Sequence, residues 1–246
     1  MQRLYTILPA MVLTDQPLIA RSKFESIATP AVSLKKSYRD GKGFVENLMK
    51  RRIYKKTPWV EAFVALPRRI ITDRDKAAVL LVWNGYKPAA MVEISCPWRL
   101  SLSSRKQFHK DVMDFKNKLH AGGLFYNIHV NYLREPNDLT HFSYIASSKR
   151  LLRGLKSADS LRDIRRRRLR VGKFLGYPMS AVTAFANNES LNIHNLPKHI
   201  TRNKLQKFLN FRLSKASRQE MKYVRDIARI IRRISPKLFN SIIAKK

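Results

Sequence analysis

The segment SRQEMKYVRDIARIIRRI, from Ser217 to Ile234, has two sides that cannot share one environment. Met221, Val224, Ala228 and Ile231, widened by Ile227, Ile230 and Ile234, recur at the spacing of one face of an α-helix. Arg218, Lys222, Arg225, Arg229 and Arg232 recur at steps of four, three, four and three and line a second face. A chain that carries this helix needs an apolar core to receive the first side and water or a polyanion to receive the second. SRQE, at its head, is a capping-box sequence with Ser217 as the expected cap.

A cationic face left to water is usually laced with acidic residues three or four positions away. Here only Glu220 and Asp226 oppose it, and the deficit runs through the whole chain. Its 246 residues hold 50 Lys or Arg against 17 Asp or Glu, a formal net charge of +33. Self-repulsion on that scale destabilises a compact state unless a polyanion neutralises it. The excess is densest in residues 151–246, with 24 Lys or Arg and five Asp or Glu, against 26 and 12 in residues 1–150.

Three regions follow: an irregular basic N-terminal arm over 1–58, containing the cluster Met49–Lys56, a sheet core over 59–150, and a basic helical region over 151–246. In the second, VEAFVAL and KAAVLLVW read as strands. Asn84-Gly85 then reads as a hairpin turn into YKPAAMVEI, with Pro88 setting that strand at an edge or delaying its start. SSRKQFHKDVMDFKNKLHAGG reads as a helix capped by Ser103 or Ser104, with Phe108, Val112, Phe115 and Leu119 inward and Gly122-Gly123 ending it. LFYNIHVNYL alternates as one half-buried strand. The fold class is α+β: a small antiparallel or mixed sheet with packed helices, followed by the basic α-helical region.

SLRDIRRRRLRVGKFLG reads as a second cationic helix, started by Ser157 or Ser160 and stopped by Gly176 with Pro178 beyond. Leu161, Ile164, Val171 and Leu175 suit one face; Arg162, Arg166, Arg170 and Lys173 line another, with Arg165 beside them. Arg outnumbers Lys, and its planar fork suits phosphate oxygens. These residues and the Arg218–Arg232 row are the expected nucleic-acid contacts, through backbone and shape, with RNA ahead of DNA. Of the Asn, Gln, Ser and Thr with which a recognition helix reads base edges near its start, the Ser217–Ile234 helix offers Gln219 and little else.

Between them, GKFLGYPMSAVTAF resembles the signature of an uncharacterised prokaryotic family that reads G-K-L-L-G-Y-P-x-C-C-V-x-x-F. Gly172, Leu175, Gly176, Tyr177, Pro178, Val182 and Phe185 match. The upstream FSYIASSKRLLRGLKSADS and the WNGYKPAAMVEI segment extend the likeness over residues 80–190. The resemblance implies a shared local fold and no activity. Ser180 and Ala181 stand where the signature has adjacent cysteines, so no thiolate role carries over. Physically, Gly176, Tyr177 and Pro178 form a corner: a left-handed helix end, a ring to bury and a first-turn proline, with Val182 and Phe185 packing inward. A ligand pocket at that helix start is the alternative.

Catalysis is left open, with no residue assigned to it. P-loop, GxGxxG and GxSxG motifs are absent. Asp73, Asp75 and Glu93 suggest a nuclease-like carboxylate set, but Ser95 stands where such a site needs lysine. His109, His120, His129, His141, His194 and His199 lack metal-ligand spacing, and neither a metal nor another cofactor is expected. Cys96 is the single cysteine, which excludes an intrachain disulfide and a zinc finger and points to a reducing compartment, the cytoplasm. No apolar run approaches the ~20 residues of a membrane span, and an anionic membrane surface suits the chain less well than nucleic acid. The expected function is non-enzymatic nucleic-acid binding. The alternatives are an enzyme acting on nucleic acid and a structural component of a ribonucleoprotein particle or virion. Oligomeric state is not set by the sequence.

Overall fold

Both apolar runs expected as strands are helical: α1 is Pro58–Val64 and α2 is Asp73–Trp83. This computed structural model describes residues 57–97, 101–133, 142–191, 196–201 and 203–244, and nearly all of the N-terminal arm, with its Met49–Lys56 cluster, lies outside them. Every side chain from Lys76 to Val82 is buried, so α2 has no polar face to reveal a helical period. Its start is conventional, with the Thr72 hydroxyl accepting from the Asp75 N–H.

Asn84-Gly85 makes no hairpin. Gly85, at φ +78°, closes α2 instead: its N–H reaches the Val82 carbonyl and the Tyr86 N–H reaches Leu81. That is a Schellman ending, which needs the same positive φ as the expected turn. Lys76 secures α1 against α2, its buried ammonium donating to the carbonyls of Val64 at 2.9 Å and Leu66 at 2.5 Å.

The strands are β1 Ala89–Glu93, β2 Ser95–Pro97, β3 Phe125–Asn127, β4 Asn131–Leu133 and β5 Phe142–Ala146. Pro88 does delay β1. Helix α3, Leu102–Ala121, links β2 to β3, with Ser101 as its cap rather than Ser103 or Ser104. Phe108, Val112, Phe115 and Leu119 are buried as expected.

β5 lies between β1 and β3 and antiparallel to both, pairing Glu93 with Phe142, Ala89 with Ala146 and Phe125 with Ala146. Ahead of β5 the flanking strands close on each other, and β2 and β4 pair in parallel. LFYNIHVNYL is therefore two short strands, not one. At the fork, buried Ser143 of β5 accepts from the His129 N–H and donates to the His129 carbonyl, both at 3.0 Å.

Each face of this sheet meets a different core. Ala90, Val92 and Ile145 join one with α1, α2 and α3, while Ala89, Tyr144 and Ala146 join the other with Leu155 and Leu175. The second core is roofed by α4, Lys149–Asp159, and α5, Ile164–Phe174. α6 is Met179–Ala186; after it come a short α7, Lys198–Thr201, a 3-10 turn, Lys204–Phe208, then α8, Ser217–Ile234, and α9, Pro236–Ala244. The α8 seam joins the same core as Phe63, Phe115 and Val92, so the hydrophobic interior runs continuously across residue 150. Among the described residues no helix is long and apolar enough to cross a membrane.

Candidate nucleic-acid interface

α8 turns its seam inward and its cations outward. Met221, Val224, Ile227, Ala228, Ile230, Ile231 and Ile234 are buried, and Arg218, Lys222, Arg225, Arg229 and Arg232 are exposed. At 1.5 Å per residue the row is about 20 Å long. Asp226 pairs with Arg229 at 3.3 Å, and the Arg232 guanidinium lies 5.8 Å from the centre of the Phe239 ring.

Glu220, the other acid of the segment, is fully buried and does not act in a capping box. Ala216 is the helix cap, without a side-chain bond, and Ser217 lies within the helix. The Glu220 carboxylate instead accepts from the Ser180 hydroxyl at 2.7 Å, the Ser214 hydroxyl at 2.5 Å and the Ser214 N–H at 2.7 Å. It binds the start of α6 to the start of α8 and leaves Asp226 as the acid of α8 that opposes the cationic row.

The second cationic helix divides its arginines between two tasks. Asp163, rather than Ser157 or Ser160, caps α5 through the Arg166 N–H, so Arg162 precedes the helix. Arg165 donates to Asn187 at 2.9 Å, and Arg168 donates to Asn188 at 2.5 Å and to the Phe185 carbonyl at 3.3 Å. Arg168 and Arg212 also stand over the Phe185 ring at 4.7 and 5.6 Å, which leaves that ring half-buried rather than packed inward. Arg162, Arg166, Arg170 and Lys173 are exposed, as is Ile164, which was expected on the inner face.

A row that the sequence reading did not single out lies on the neighbouring helix. Lys149, Arg153 and Lys156, at steps of four and three, share the outer face of α4, with Arg150 on its flank, all exposed. Leu155 and Ala158 are buried on its inner face. The same periodicity that marked α8 was available in KRLLRGLK.

The Gly-Tyr-Pro corner joins these parts. Gly176, at φ +68°, ends α5 with its N–H on the Lys173 carbonyl, and the Tyr177 N–H reaches Gly172. The Tyr223 hydroxyl of α8 donates to the Gly176 carbonyl at 2.8 Å. A chain of rings, Tyr177, Phe211, Tyr223 and Tyr86, with centres 5.3, 5.8 and 5.8 Å apart, continues from the corner to the end of α2. Burial drives the Tyr177 phenol pKa well above its ordinary value, and Asp75 adds to the push. Pro178 caps α6 without a side-chain bond.

Beside the corner an open groove of about 610 Å³ is lined by Met179, Ser180, Thr183, Glu189, Ser214 and Lys215 among others. The hydroxyls of Ser180 and Ser214 both donate to Glu220 beneath it.

The carboxylates considered for a nuclease site are occupied structurally. Asp73 is buried, accepts from Ser241 at 2.7 Å and pairs with Arg68 at 2.7 Å and Lys76 at 3.7 Å. Burial pushes its carboxyl up, but the Ser241 and Arg68 hydrogen bonds and the two cations outweigh that and hold it below the ordinary range. Burial pushes Asp75 up, while Glu93 accepts from Ser95 at 2.7 Å. Among the described residues no group of three His, Cys, Asp or Glu could hold a metal ion. His141 and His194 lie outside the described residues.

No protein-family model, curated protein or solved structure matches the chain.

Proposed function

We propose that the chain is a non-enzymatic nucleic-acid-binding protein of a reducing compartment, such as the cytoplasm, that grips the phosphate backbone. The observation that carries this reading is the α8 row: five exposed cations on one face, opposed by the Asp226 pair while Glu220 is buried elsewhere. Arg166, Arg170 and Lys173 of α5, with Arg162 before it, supply further phosphate contacts, whereas Arg165 and Arg168 chiefly hold α6. Contacts of this kind respond to backbone geometry and hardly to sequence, and the scarcity of base-reading side chains on α8, where Gln219 is the exposed candidate, favours shape, with RNA ahead of DNA.

The test is salt-dependent binding to matched single-stranded RNA, duplex RNA and duplex DNA, with Arg225→Glu/Arg229→Glu alongside. Neutralising six phosphates gives a log–log slope of about −5 on duplex DNA. A steep slope that the variant flattens supports the reading. A shallow slope, or a variant that binds like the parent, overturns it.

A further inference from the structure

We propose that the chain carries two separate phosphate-binding surfaces, the α8 row and a second one built on α4, and so holds two nucleic-acid segments at once. This rests on the reading of the protein as a nucleic-acid binder and adds the α4 surface and the bridging to it.

The second surface is as rich in cations as the first. Residues 149–173 hold eleven Lys or Arg and two acids. Both acids are engaged locally: Asp159 accepts a short hydrogen bond from the Tyr144 hydroxyl, and Asp163 caps α5 and pairs with Arg166 at 3.5 Å. Lys149, Arg153 and Lys156 therefore face solvent from α4 with little opposing charge, next to the exposed cations of α5. Gly154 lets the two helices approach closely, since a Cβ there would sit 2.7 Å from the Phe174 ring.

The two rows belong to different cores. α4 rests through Leu155 on the sheet face of Ala89, Tyr144 and Ala146, while the α8 seam enters the core that takes the opposite face, Ala90, Val92 and Ile145. Each row points away from its own core, and the two cores take opposite faces of the sheet. A duplex stiff over ~150 base pairs would have to bend to serve both. Two separate segments can occupy both rows without that bending.

The experiment is duplex capture. Full-length protein is bound to a biotinylated RNA duplex on beads, and retention of a second, fluorescent duplex of unrelated sequence is measured, with duplex DNA run in parallel. The wild type retains the second duplex. Arg225→Glu/Arg229→Glu and Arg153→Glu/Lys156→Glu each still bind a single duplex, more weakly, and lose capture at least about tenfold, with Arg153→Gln/Lys156→Gln falling between. Thermal melts of these surface variants confirm folding.

Loss of all single-duplex binding in either charge-reversed variant would mean one continuous surface and overturn the proposal. Capture that persists in both would assign bridging to self-association and overturn it as well. A wild type that binds one duplex and captures no second sinks bridging alone; one that binds neither RNA nor DNA sinks the nucleic-acid reading too.

Discussion

The Lys87 ammonium lies 4.5 Å from the centre of the Tyr177 ring, and the lysine is 1% exposed. Burial lowers its pKa from 10.5 to about 7. Between those values the unfolded chain holds a proton that the folded chain lacks, so stability rises with pH from about 7 to 10.5 and is lost as pH falls back towards 7. Lys87→Met keeps the packing of the stem and removes the ammonium. It should raise stability at pH 7 by about 1–3 kcal/mol and flatten the slope above it, read from urea unfolding at several pH values. An unchanged slope would show that Lys87 does not carry this dependence.

Ser143→Ala removes the hydroxyl that satisfies both backbone groups of His129 where the sheet forks. The expected loss is about 1–3 kcal/mol in denaturant unfolding, since two part-buried hydrogen bonds of about 0.5–1.5 kcal/mol each are removed. A cost below 0.5 kcal/mol, the range usual at unconstrained surface sites, would mean that water replaces the hydroxyl there.

Glu220→Ala deletes the acceptor of three hydrogen bonds, one from Ser180 of α6 and two from Ser214 just ahead of α8. Destabilisation of about 3 kcal/mol is expected. The helical content of α8 should survive below the transition, since its seam is untouched. Circular dichroism with urea titration separates those two outcomes.

Gly176→Ala places a Cβ 2.8 Å from Pro88 Cδ at a φ of +68°. The left-handed conformation alone costs a side-chain residue about 1–2 kcal/mol, and the contact adds to it. Tm should fall by several degrees, with the loss registered between α5 and the turn that begins β1. Hydrogen exchange at the Tyr177 and Ala89 amides would locate it.

α8 was legible because both of its patterns survive in the sequence: apolar residues at helical spacing and cations at the complementary spacing. α2 was not, since burial on every side erases that contrast and leaves an apolar run that suits a strand equally well. Asn84-Gly85 reported a true requirement for positive φ but could not say whether a hairpin or a helix end supplied it. The fates of Arg165 and Arg168 were hidden because their partners, Asn187 and Asn188, are some twenty residues away and meet them only once α6 is docked. The α4 row was legible in principle, and its cations share the α8 spacing.

The fork in the sheet has a consequence for the order in which the protein can be built. Among the described residues β5 is the last strand to be synthesised, yet it is the one that joins β1 to β3. A nascent chain that has emerged only through Leu133 possesses both outer strands and the β2–β4 ladder, but the three-stranded sheet has no middle. Its two cores therefore cannot be divided from each other until Ala146 has left the ribosome. Up to that point β1 and β3 offer unpaired inner edges to any other strand.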